Sequence, residues 1–351
     1  MKSVTIGDKI LDVPIIQGGM GIGVSRERLA GAVAREGAMG VLSAAQIGYD
    51  RPDFLRAPEA ANLDALPDCV ARARELAEGR GLIGINIMAA TQNYPAYVRA
   101  ACAAGVDAII SGAGLPTNLP ALVEGSDVAI APIVSSAKSA RVILKYWRKH
   151  GRIADFLVIE GPLAGGHLGF KGEQLTDIPA LDFDAEIRAI IALVREEEAS
   201  AGRRIPVFVA GGVTTADDVA YALALGADGV QVASRFVTTY ECDAAQAYKD
   251  AYLAATDDDI VIVASPVGMP GRALNNAFVQ RVAARSEPVR HCYNCLAACN
   301  PQTTPYCISA ALINAVRGNI DDGLIFCGAH VGALNKMEHA ADVIRDLNIR
   351  A

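Results

Sequence analysis

The chain has 351 residues, of which 52% are hydrophobic and 20% are charged, a balance that permits a folded protein with a deep core. The formal net charge of −7 at pH 7 argues against a nucleic-acid partner, because phosphate backbones select for basic surfaces. With Trp147 as its single tryptophan, the chain is also not expected to carry a platform for stacking bases.

The N-terminal segment MKSVTIGDKILDVPIIQGG has no long apolar stretch after a basic start, so we predict no signal peptide. Glycine, polar or charged residues interrupt every apolar run before it reaches about 18 residues, and we therefore predict no membrane span, no membrane partner and a cytoplasmic location. We expect a small-molecule substrate as the binding partner. A homodimer is the oligomeric state that we would test first.

Short β-branched apolar runs alternate with alanine-rich helical stretches along most of the chain. The runs are continuously apolar, as expected for parallel strands that helices cover. The predicted strands are Val13–Gln17, Gly40–Ser43, Leu82–Asn86, Ala108–Ser111, Ala129–Val134, Phe156–Glu160, Val207–Ala210 and Gly229–Val232. Helices are predicted near 26–36, 68–79, 95–104, 119–125, 137–149, 185–200, 215–225 and 242–255.

This alternation predicts an α/β fold, a closed (β/α)8 TIM barrel over residues 1–256. A doubly wound open sheet is the alternative, but no GxGxxG motif with a suitably placed acidic residue follows the first strand. Residues 257–351 are predicted to form a C-terminal extension packed on the barrel, beginning with an apolar run, a Pro/Gly turn and a helix. The connection 44–66 is over-long for a βα loop and is a candidate lid.

Glycine-rich segments follow several of the predicted strands. They include QGGMGIG (17–23), SGAGLP (111–116), GPLAGGHLGF (161–170) and AGGVTTADD (210–218). In a barrel these segments are loops at the C-terminal face, where active sites are built. Glycine there lets the backbone approach a ligand closely or take positive φ.

The loops after the last two predicted strands suit a phosphate group. Gly211 and Gly212 open a helix, and Ser234 follows the next strand, which together supply backbone and hydroxyl donors. The alternative is that these glycines only form tight turns. A phosphate site beside a glycine-lined barrel mouth favours FMN as the cofactor.

The combination of PIIQGGMG, GINIM, SGAGLP, EGPLAGGHLG, VAGGV and GADGVQVASRF resembles the 2-nitropropane dioxygenase-like flavoenzymes, a family that includes nitronate monooxygenases and flavin-dependent enoyl-acyl-carrier-protein reductases. The resemblance covers about residues 10–280 and implies an FMN-bound barrel. It implies that His167 lies above the flavin and acts on the substrate. The cofactor-binding residues that it implies are Gly19, Met20, Gly21, Asn86, Gly166, Gly211, Gly212, Gln231 and Ser234.

His167 has two plausible roles beside a flavin, because the unperturbed pKa of imidazole is near neutrality. It could hydrogen-bond a nitronate, or it could polarise or protonate an enoyl thioester. The family loop commonly reads EAGGH, whereas this chain has Leu163 in place of the glutamate. The histidine alone therefore does not separate the two reactions.

A cysteine cluster, Cys292-x2-Cys295-x3-Cys299-x7-Cys307, distinguishes the chain from a plain member of this family. Such spacing predicts a metal site, and it resembles the cubane-binding segment of iron–sulfur flavoenzymes related to dienoyl-CoA reductase. We favour [4Fe–4S] over zinc; unliganded or oxidised thiols are the third alternative. Cys327 is a spare candidate ligand.

On sequence alone, we rank FMN-dependent oxidation of nitronates first, because the core motifs match. The alternative is an NAD(P)H-dependent FMN reductase of enoyl thioesters, on acyl carrier protein or coenzyme A, that uses an iron–sulfur cluster. A hypothesis of another class is an electron-transfer or sensor flavoprotein. Arg272 is predicted either to cap the substrate pocket or to pair with an acidic neighbour.

Overall fold

The computed structural model describes residues 1–349 and contains a closed barrel of eight parallel strands. Around the barrel the strands run in the order β3, β4, β5, β6, β7, β8, β10, β11, and β11 pairs with β3 to close it. The barrel strands are β3 (Ile15–Gln17), β4 (Met39–Ser43), β5 (Leu82–Asn86), β6 (Ala108–Ser111), β7 (Ala129–Val134), β8 (Leu157–Glu160), β10 (Val207–Ala210) and β11 (Gly229–Val232). The predicted (β/α)8 fold is confirmed.

Helices pack around the barrel, and most of those between residues 26 and 255 lie close to the predicted ranges, but the second helix begins ten residues before its predicted start at 68. They are α1 (Glu27–Arg35), α2 (Pro58–Ala77), α3 (Tyr94–Ala103), α4 (Leu119–Leu122), α5 (Ala137–Lys149), α6 (Phe183–Ala201), α7 (Ala216–Ala224), α8 (Ser234–Val237), α9 (Gln246–Ala254), α10 (Ala277–Ala284), α11 (Ile308–Val316) and α12 (Ala340–Leu347). Short 3₁₀ helices span Gly172–Leu175, Ile178–Leu181, Asp257–Asp259, Ile320–Asp322 and Val331–Ala333.

Alternate residues of each barrel strand pack on opposite faces. In and before β8, Phe156 and Val158 pack inside the barrel, whereas Leu157 and Ile159 pack against the helices. Phe208 meets Phe156 edge-on in the interior, with ring centroids 5.8 Å apart. This two-sided burial explains why the strand sequences are apolar without alternation.

Five strands of the described chain lie outside the barrel, and the sequence analysis did not predict them as separate elements. A hairpin of β1 (Val4–Ile6) and β2 (Lys9–Leu11) adds apolar side chains to the barrel interior. The C-terminal apolar run forms an antiparallel hairpin of β12 (Ile260–Ala264) and β13 (Pro270–Leu274). The outer edge of β13 pairs with β9 (Gly166–His167), a two-residue strand in the loop after β8.

The C-terminal region packs on the barrel and completes its helical layer. Helix α12 contacts α1, α7 and α8, and its residues Val343, Ile344 and Leu347 join the core between strands and helices. The division at residue 256 stays a prediction. Helix α2 begins at Pro58, so the predicted lid 44–66 is a shorter loop followed by helix. Within the described residues, no helix is long and apolar enough to cross a membrane.

Candidate active site

A cavity of about 390 Å³ opens at the carboxyl-terminal ends of the barrel strands. The loops after β3, β4, β5, β6, β7, β8 and β11 line it, and the C-terminal region closes its outer side. This volume is typical of sites that hold small ligands or cofactors. The position is the one at which (β/α)8 barrels carry their active sites.

The loop after β3 forms one wall of the cavity with almost no side-chain bulk. A Cβ added at Gly19 would lie 2.6 Å from the Cβ of Asn86, and one added at Gly21 would lie 2.7 Å from Ser43 Oγ. Met20 lies between them and also lines the cavity. The predicted cofactor-binding segment therefore does lie at the cavity, with glycine where a side chain would not fit.

Buried Gln17 fixes the start of this wall. Its Nε2 donates to Ser25 Oγ at 2.8 Å, and its Oε1 accepts from the Val41 N–H at 3.1 Å. Both polar ends of the amide are satisfied by the protein, so Gln17 positions the loop and has no group left for a ligand.

Among residues 1–349, three amide or carboxyl side chains near the ends of barrel strands have no hydrogen-bond partner. They are Asn86 on β5, Glu160 on β8 and Gln231 on β11, and all three line the cavity. Within residues 1–349, no fully buried side-chain nitrogen or oxygen lacks a partner. The polar atoms of these three side chains are therefore open to the cavity, where they can bind a ligand.

A second cavity, of about 70 Å³, adjoins the first and shares Gln231 and Ser234 with it. Gly211 and Gly212 line it with φ angles of +94° and +83°, a conformation that disfavours other residues. Ser234 Oγ accepts from the Gly328 N–H at 3.0 Å, which leaves its own O–H free to donate. The predicted phosphate residues are thus together.

Sequence analysis missed part of this second cavity. Gly328, Ala329 and His330, from the C-terminal segment FCGAH, line it beside the glycine pair. The Ala329 N–H donates to the Leu163 carbonyl at 3.1 Å, which joins this segment to the loop that carries His167. A glycine preceding a histidine late in the chain is too weak a signal to have indicated this contact.

His167 lies on β9 and lines the large cavity, as the glycines of the β3 loop do. Its Nε2 is 2.8 Å from Ser265 Oγ, and its ring meets Phe326 edge-on with centroids 5.0 Å apart. Burial lowers the pKa of His167 to about 4. The imidazole is therefore neutral at pH 7, and it offers a hydrogen bond without a full charge.

Glu160 is a functional candidate that sequence analysis did not single out. It ends β8 and lines both cavities at their junction. Burial raises its pKa to about 8, and no neighbouring cation offsets this effect. At pH 7 it is mainly a protonated carboxyl group, able to donate one hydrogen bond as well as to accept.

Apolar and aromatic residues from the C-terminal region form the outer wall. Val267 and Met269 come from the turn of the β12–β13 hairpin, and Phe326 and Leu312 from later segments. Tyr252 donates from its hydroxyl to the Phe326 carbonyl, which ties this wall to helix α9. This side of the cavity that His167 lines is therefore largely apolar.

The cysteine segment covers the loop after β5 and does not assemble as a metal site. The Cys295 carbonyl accepts from the Gln92 N–H at 3.0 Å, and the Ala297 N–H donates to the Ala90 carbonyl at 3.0 Å. Cys295 lines the cavity, and burial raises its pKa to about 11.

Across residues 1–349, no three His, Cys, Asp or Glu side chains form a group that could hold a metal. The predicted set of Cys292, Cys295, Cys299 and Cys307 is thus not brought together in a metal-binding arrangement. Cys292 is exposed, whereas burial raises the pKa of both Cys295 and Cys307 and favours their protonated thiols. The iron–sulfur and zinc assignments have no structural support and stay predictions.

Arg272 fits neither of the two roles predicted for it. It does not line the cavity, and no carboxylate in the described part of the chain pairs with it. Its guanidinium is buried and donates to the carbonyls of Pro162 and Ala164. Arg272 therefore fixes the shape of the loop that carries His167.

These features fit FMN. The large cavity offers a flat glycine wall and the open amides of Asn86 and Gln231 to a planar ring with polar edges. The adjoining small cavity offers the positive-φ glycines and the free hydroxyl of Ser234 to a phosphate. The residues that would hold the two ends of one elongated cofactor therefore lie in one continuous site.

Comparisons with known proteins agree with this architecture. A family model described as nitronate monooxygenase matches residues 4–349. The chain is 27% identical over 276 residues to (3aS,4S,5R,7aS)-5-hydroxy-7a-methyl-1-oxo-octahydro-1H-indene-4-carboxyl-CoA dehydrogenase of Mycobacterium tuberculosis, covering 79% of this chain and 67% of that protein. In the first three curated relatives, the matched segment spans 62 to 67% of the relative's own length.

Two solved structures resemble this chain over most of both lengths. FabK from Thermotoga maritima has a TM-score of 0.72 and 24% identity, covering 95% of this chain and 91% of that one. Nitroalkane oxidase from Streptomyces ansochromogenes has a TM-score of 0.70 and 21% identity, covering 95% and 94%. At these identities the likeness shows the fold alone.

Proposed function

We propose, since the chain belongs to the nitronate monooxygenase family, that it is an FMN-dependent oxidoreductase that reduces the activated double bond of an enoyl thioester. The family membership supports flavin-dependent oxidoreductase chemistry in general. A curated relative that matches 79% of this chain is named as a dehydrogenase of a CoA thioester, which supports a thioester as the substrate class.

The observation that carries this choice is the lack of positive charge in the cavity. Among the described residues that line it, none is a lysine or an arginine. His167 adds no charge at neutral pH, because burial lowers its pKa to about 4. A nitronate is an anion, and burying an anion without a cation is costly, whereas the reacting enoyl thioester group of an acyl-CoA is neutral.

The side chains of the site have separate roles in this proposal. Gly211, Gly212 and Ser234 hold the phosphate of FMN, and Asn86 and Gln231 bind its polar ring edge. When bound, FMN supplies the hydride transfer. His167 hydrogen-bonds the thioester carbonyl oxygen, where negative charge develops as the double bond is reduced.

The overall reaction adds two electrons and two protons across the carbon–carbon double bond. A reduced nicotinamide, NADH or NADPH, provides the hydride equivalent, and solvent provides the remaining proton. The apolar outer wall of Val267, Met269 and Phe326 accommodates the acyl chain and limits the access of water. An electron-transfer or sensor flavoprotein would not need such an apolar wall in a cavity that a histidine lines.

Nitronate oxidation, which ranks first on the sequence motifs alone, is the second candidate function. The family model that matches the chain carries that description, and a neutral imidazole can also donate to an oxygen of a nitronate. The two candidates differ in whether reduction of the flavin requires a nicotinamide, and this difference decides the test.

Anaerobic titration of the FMN-loaded protein separates the two reactions. We expect NADH or NADPH to bleach the flavin spectrum, crotonyl-CoA to restore it, and propyl-2-nitronate to leave the oxidised spectrum unchanged. Bleaching by the nitronate without any nicotinamide would overturn the thioester proposal in favour of nitronate oxidation. A protein that binds no FMN on reconstitution would refute the cofactor assignment itself.

The cysteine prediction is tested in the same preparations. Iron, zinc and acid-labile sulfide are measured after anaerobic purification of the wild type and of Cys295→Ser. A metal content close to one cluster or one zinc ion per chain in the wild type, and its loss in the variant, would support the metal-site prediction despite the arrangement of the thiols. Metal-free wild type with full flavin reduction by NADPH would show that turnover needs FMN only.

A further inference from the structure

The β12–β13 hairpin holds the loop that carries His167 at several points. In the ladder between β13 and β9, Gly271 is opposite His167 and Arg272 is opposite Gly166. The Leu168 N–H donates to the Pro270 carbonyl at 2.8 Å. The backbone on both sides of the imidazole is therefore fixed by the C-terminal hairpin.

Ser265 follows β12 in this hairpin and lies behind the imidazole. It is buried, it does not line the cavity, and its Oγ is 2.8 Å from Nε2 of His167. The other ring nitrogen, Nδ1, has no partner among residues 1–349. Since no fully buried polar side-chain atom there is unpaired, Nδ1 is open to the cavity that His167 lines.

The direction of the hydrogen bond follows from the other contacts of Ser265. Its Oγ already accepts from the Val267 N–H at 3.3 Å. Within the described chain the only acceptor in reach of its O–H is the imidazole nitrogen. If the imidazole donated instead, the buried hydroxyl proton would have no acceptor, which is unfavourable.

We propose that Ser265 is a positioning residue that donates its O–H to Nε2 and so fixes His167 as the neutral tautomer with its proton on Nδ1. The ring then presents an N–H donor to the cavity. It stabilises negative charge on a substrate oxygen and does not abstract a proton there. The role of this N–H donor in catalysis rests on the proposed function, but the tautomer itself does not depend on which substrate is turned over.

The test is long-range ¹H–¹⁵N NMR of FMN-loaded protein labelled with ¹⁵N-histidine, with the signals of His167 identified from a His167→Asn variant. We expect a single tautomer protonated on Nδ1 in the wild type. In Ser265→Ala we expect a mixture of tautomers or the form protonated on Nε2. Ser265→Thr, which keeps the hydroxyl, restores the wild-type signals and shows that loss of the bond, rather than misfolding, causes the change.

Ser126→Ala is the matched control. Ser126 Oγ accepts from the Val128 N–H at 3.3 Å, in the same way that Ser265 Oγ accepts from the Val267 N–H. Unlike Ser265, Ser126 lies away from the cavity and from His167. We expect this variant to keep the wild-type tautomer. A wild type protonated on Nε2, or an Ser265→Ala variant that keeps the Nδ1–H form, would overturn the proposal.

Kinetics add a second readout. We expect Ser265→Ala to lower kcat for reduction of crotonyl-CoA about tenfold, the order of one net hydrogen bond, and to change KM little. If the tautomer shifts as expected but crotonyl-CoA is not a substrate of the wild type, the proposed function fails and the tautomer assignment stands. If kcat and the tautomer are both unchanged, Ser265 does not position His167.

Discussion

The two ends of the site are built by different parts of the chain. At the proposed phosphate end, the loops after β10 and β11 supply Gly211, Gly212 and Ser234 directly from the barrel. At the reactive end, a barrel loop supplies His167, but Ser265, Arg272 and other C-terminal residues hold it. In the proposed function, anchoring of the cofactor depends mainly on barrel backbone, whereas the reaction depends on His167 and on the side chains of the extension that hold it.

This difference implies that the two functions can be separated by mutation. Changes in the glycine loops should remove the cofactor and with it all activity. Changes in the hairpin should leave the cofactor bound and weaken the reaction. The C-terminal segment 328–330 also lines the small cavity. We therefore do not expect mutations to separate the two functions completely.

The largest effect is expected from Gly211→Ala. Gly211 has a φ of +94°, and an added Cβ would lie 2.9 Å from the backbone N of Ala164. Relaxing this conformation and contact moves the loop away from the phosphate, and about 3 kcal/mol of combined strain predicts roughly 100-fold weaker FMN binding. Quenching of FMN fluorescence on titration with apoprotein measures the Kd.

Gly125→Ala controls for backbone strain alone. Gly125 also has positive φ, at +78°, but nothing lies within 4 Å of an added Cβ. We expect this variant to be somewhat less stable and to bind FMN normally. Equal affinity of the Gly211→Ala variant and the wild type would show that this loop does not hold the phosphate.

The second largest effect is expected from a substitution of His167 at the reactive end. His167→Asn should retain FMN, because the ring is not part of the phosphate cavity, and should lower kcat about 100-fold, as loss of one preorganised donor to a developing oxyanion does. Stopped-flow reoxidation by crotonyl-CoA, after reduction by NADPH, isolates the step. An unchanged reoxidation rate would remove His167 from the reaction.

That the residues of the proposed phosphate end lie together could be predicted from sequence, because their positions are set locally. Gly211, Gly212 and Ser234 directly follow buried strands, and the closure of a barrel brings the ends of neighbouring strands together. The strand pattern itself was clear, and five of the predicted barrel strands, for example Leu82–Asn86, match the structure at both ends. Local periodicity and chain order are enough to specify this half of the site.

The reactive end could not be predicted in the same way, because its partners are distant in sequence. Ser265 reaches His167 across 98 residues, and Arg272 reaches Pro162 across 110. Nothing in the segment SPVGMPGR identifies which loop it will pair with. Glu160 was missed for a different reason: a carboxylate ending an apolar strand resembles an ordinary boundary until its burial is known.

A smaller effect is expected from Arg272→Met. The variant keeps much of the side-chain volume but leaves the carbonyls of Pro162 and Ala164 without their donor, which costs about 1–3 kcal/mol for each unsatisfied group. We expect normal FMN affinity, a kcat lowered about tenfold and a lower Tm.

Arg317→Met is the control for Arg272, because exposed Arg317 donates to the Tyr49 carbonyl at 2.8 Å on the surface. It should change kcat little. Should the Arg272→Met variant lose FMN together with activity, the two ends of the site would be structurally coupled and the separation proposed above would be wrong.

The smallest effect, and the one most sensitive to pH, is expected from Glu160→Gln. Burial raises the pKa of Glu160 from 4.5 to about 8 in the folded protein. Between these two values the folded protein holds a proton that the unfolded chain releases, so the free energy of unfolding falls as pH rises. The fall ends above pH 8, where both states are ionised.

The glutamine variant has no ionisable group at this position and should lose that dependence. In urea unfolding of the apoprotein, we expect it to gain about 1–2 kcal/mol relative to the wild type between pH 5 and pH 8, allowing for solvent in the cavity. Glu124→Gln, at an exposed position, should follow the wild type throughout. A constant difference between wild type and Glu160→Gln at all pH values would mean that Glu160 is ionised in the cavity. A binding site for a cation, rather than a neutral donor at the junction of the two cavities, would then be the better description of this end of β8.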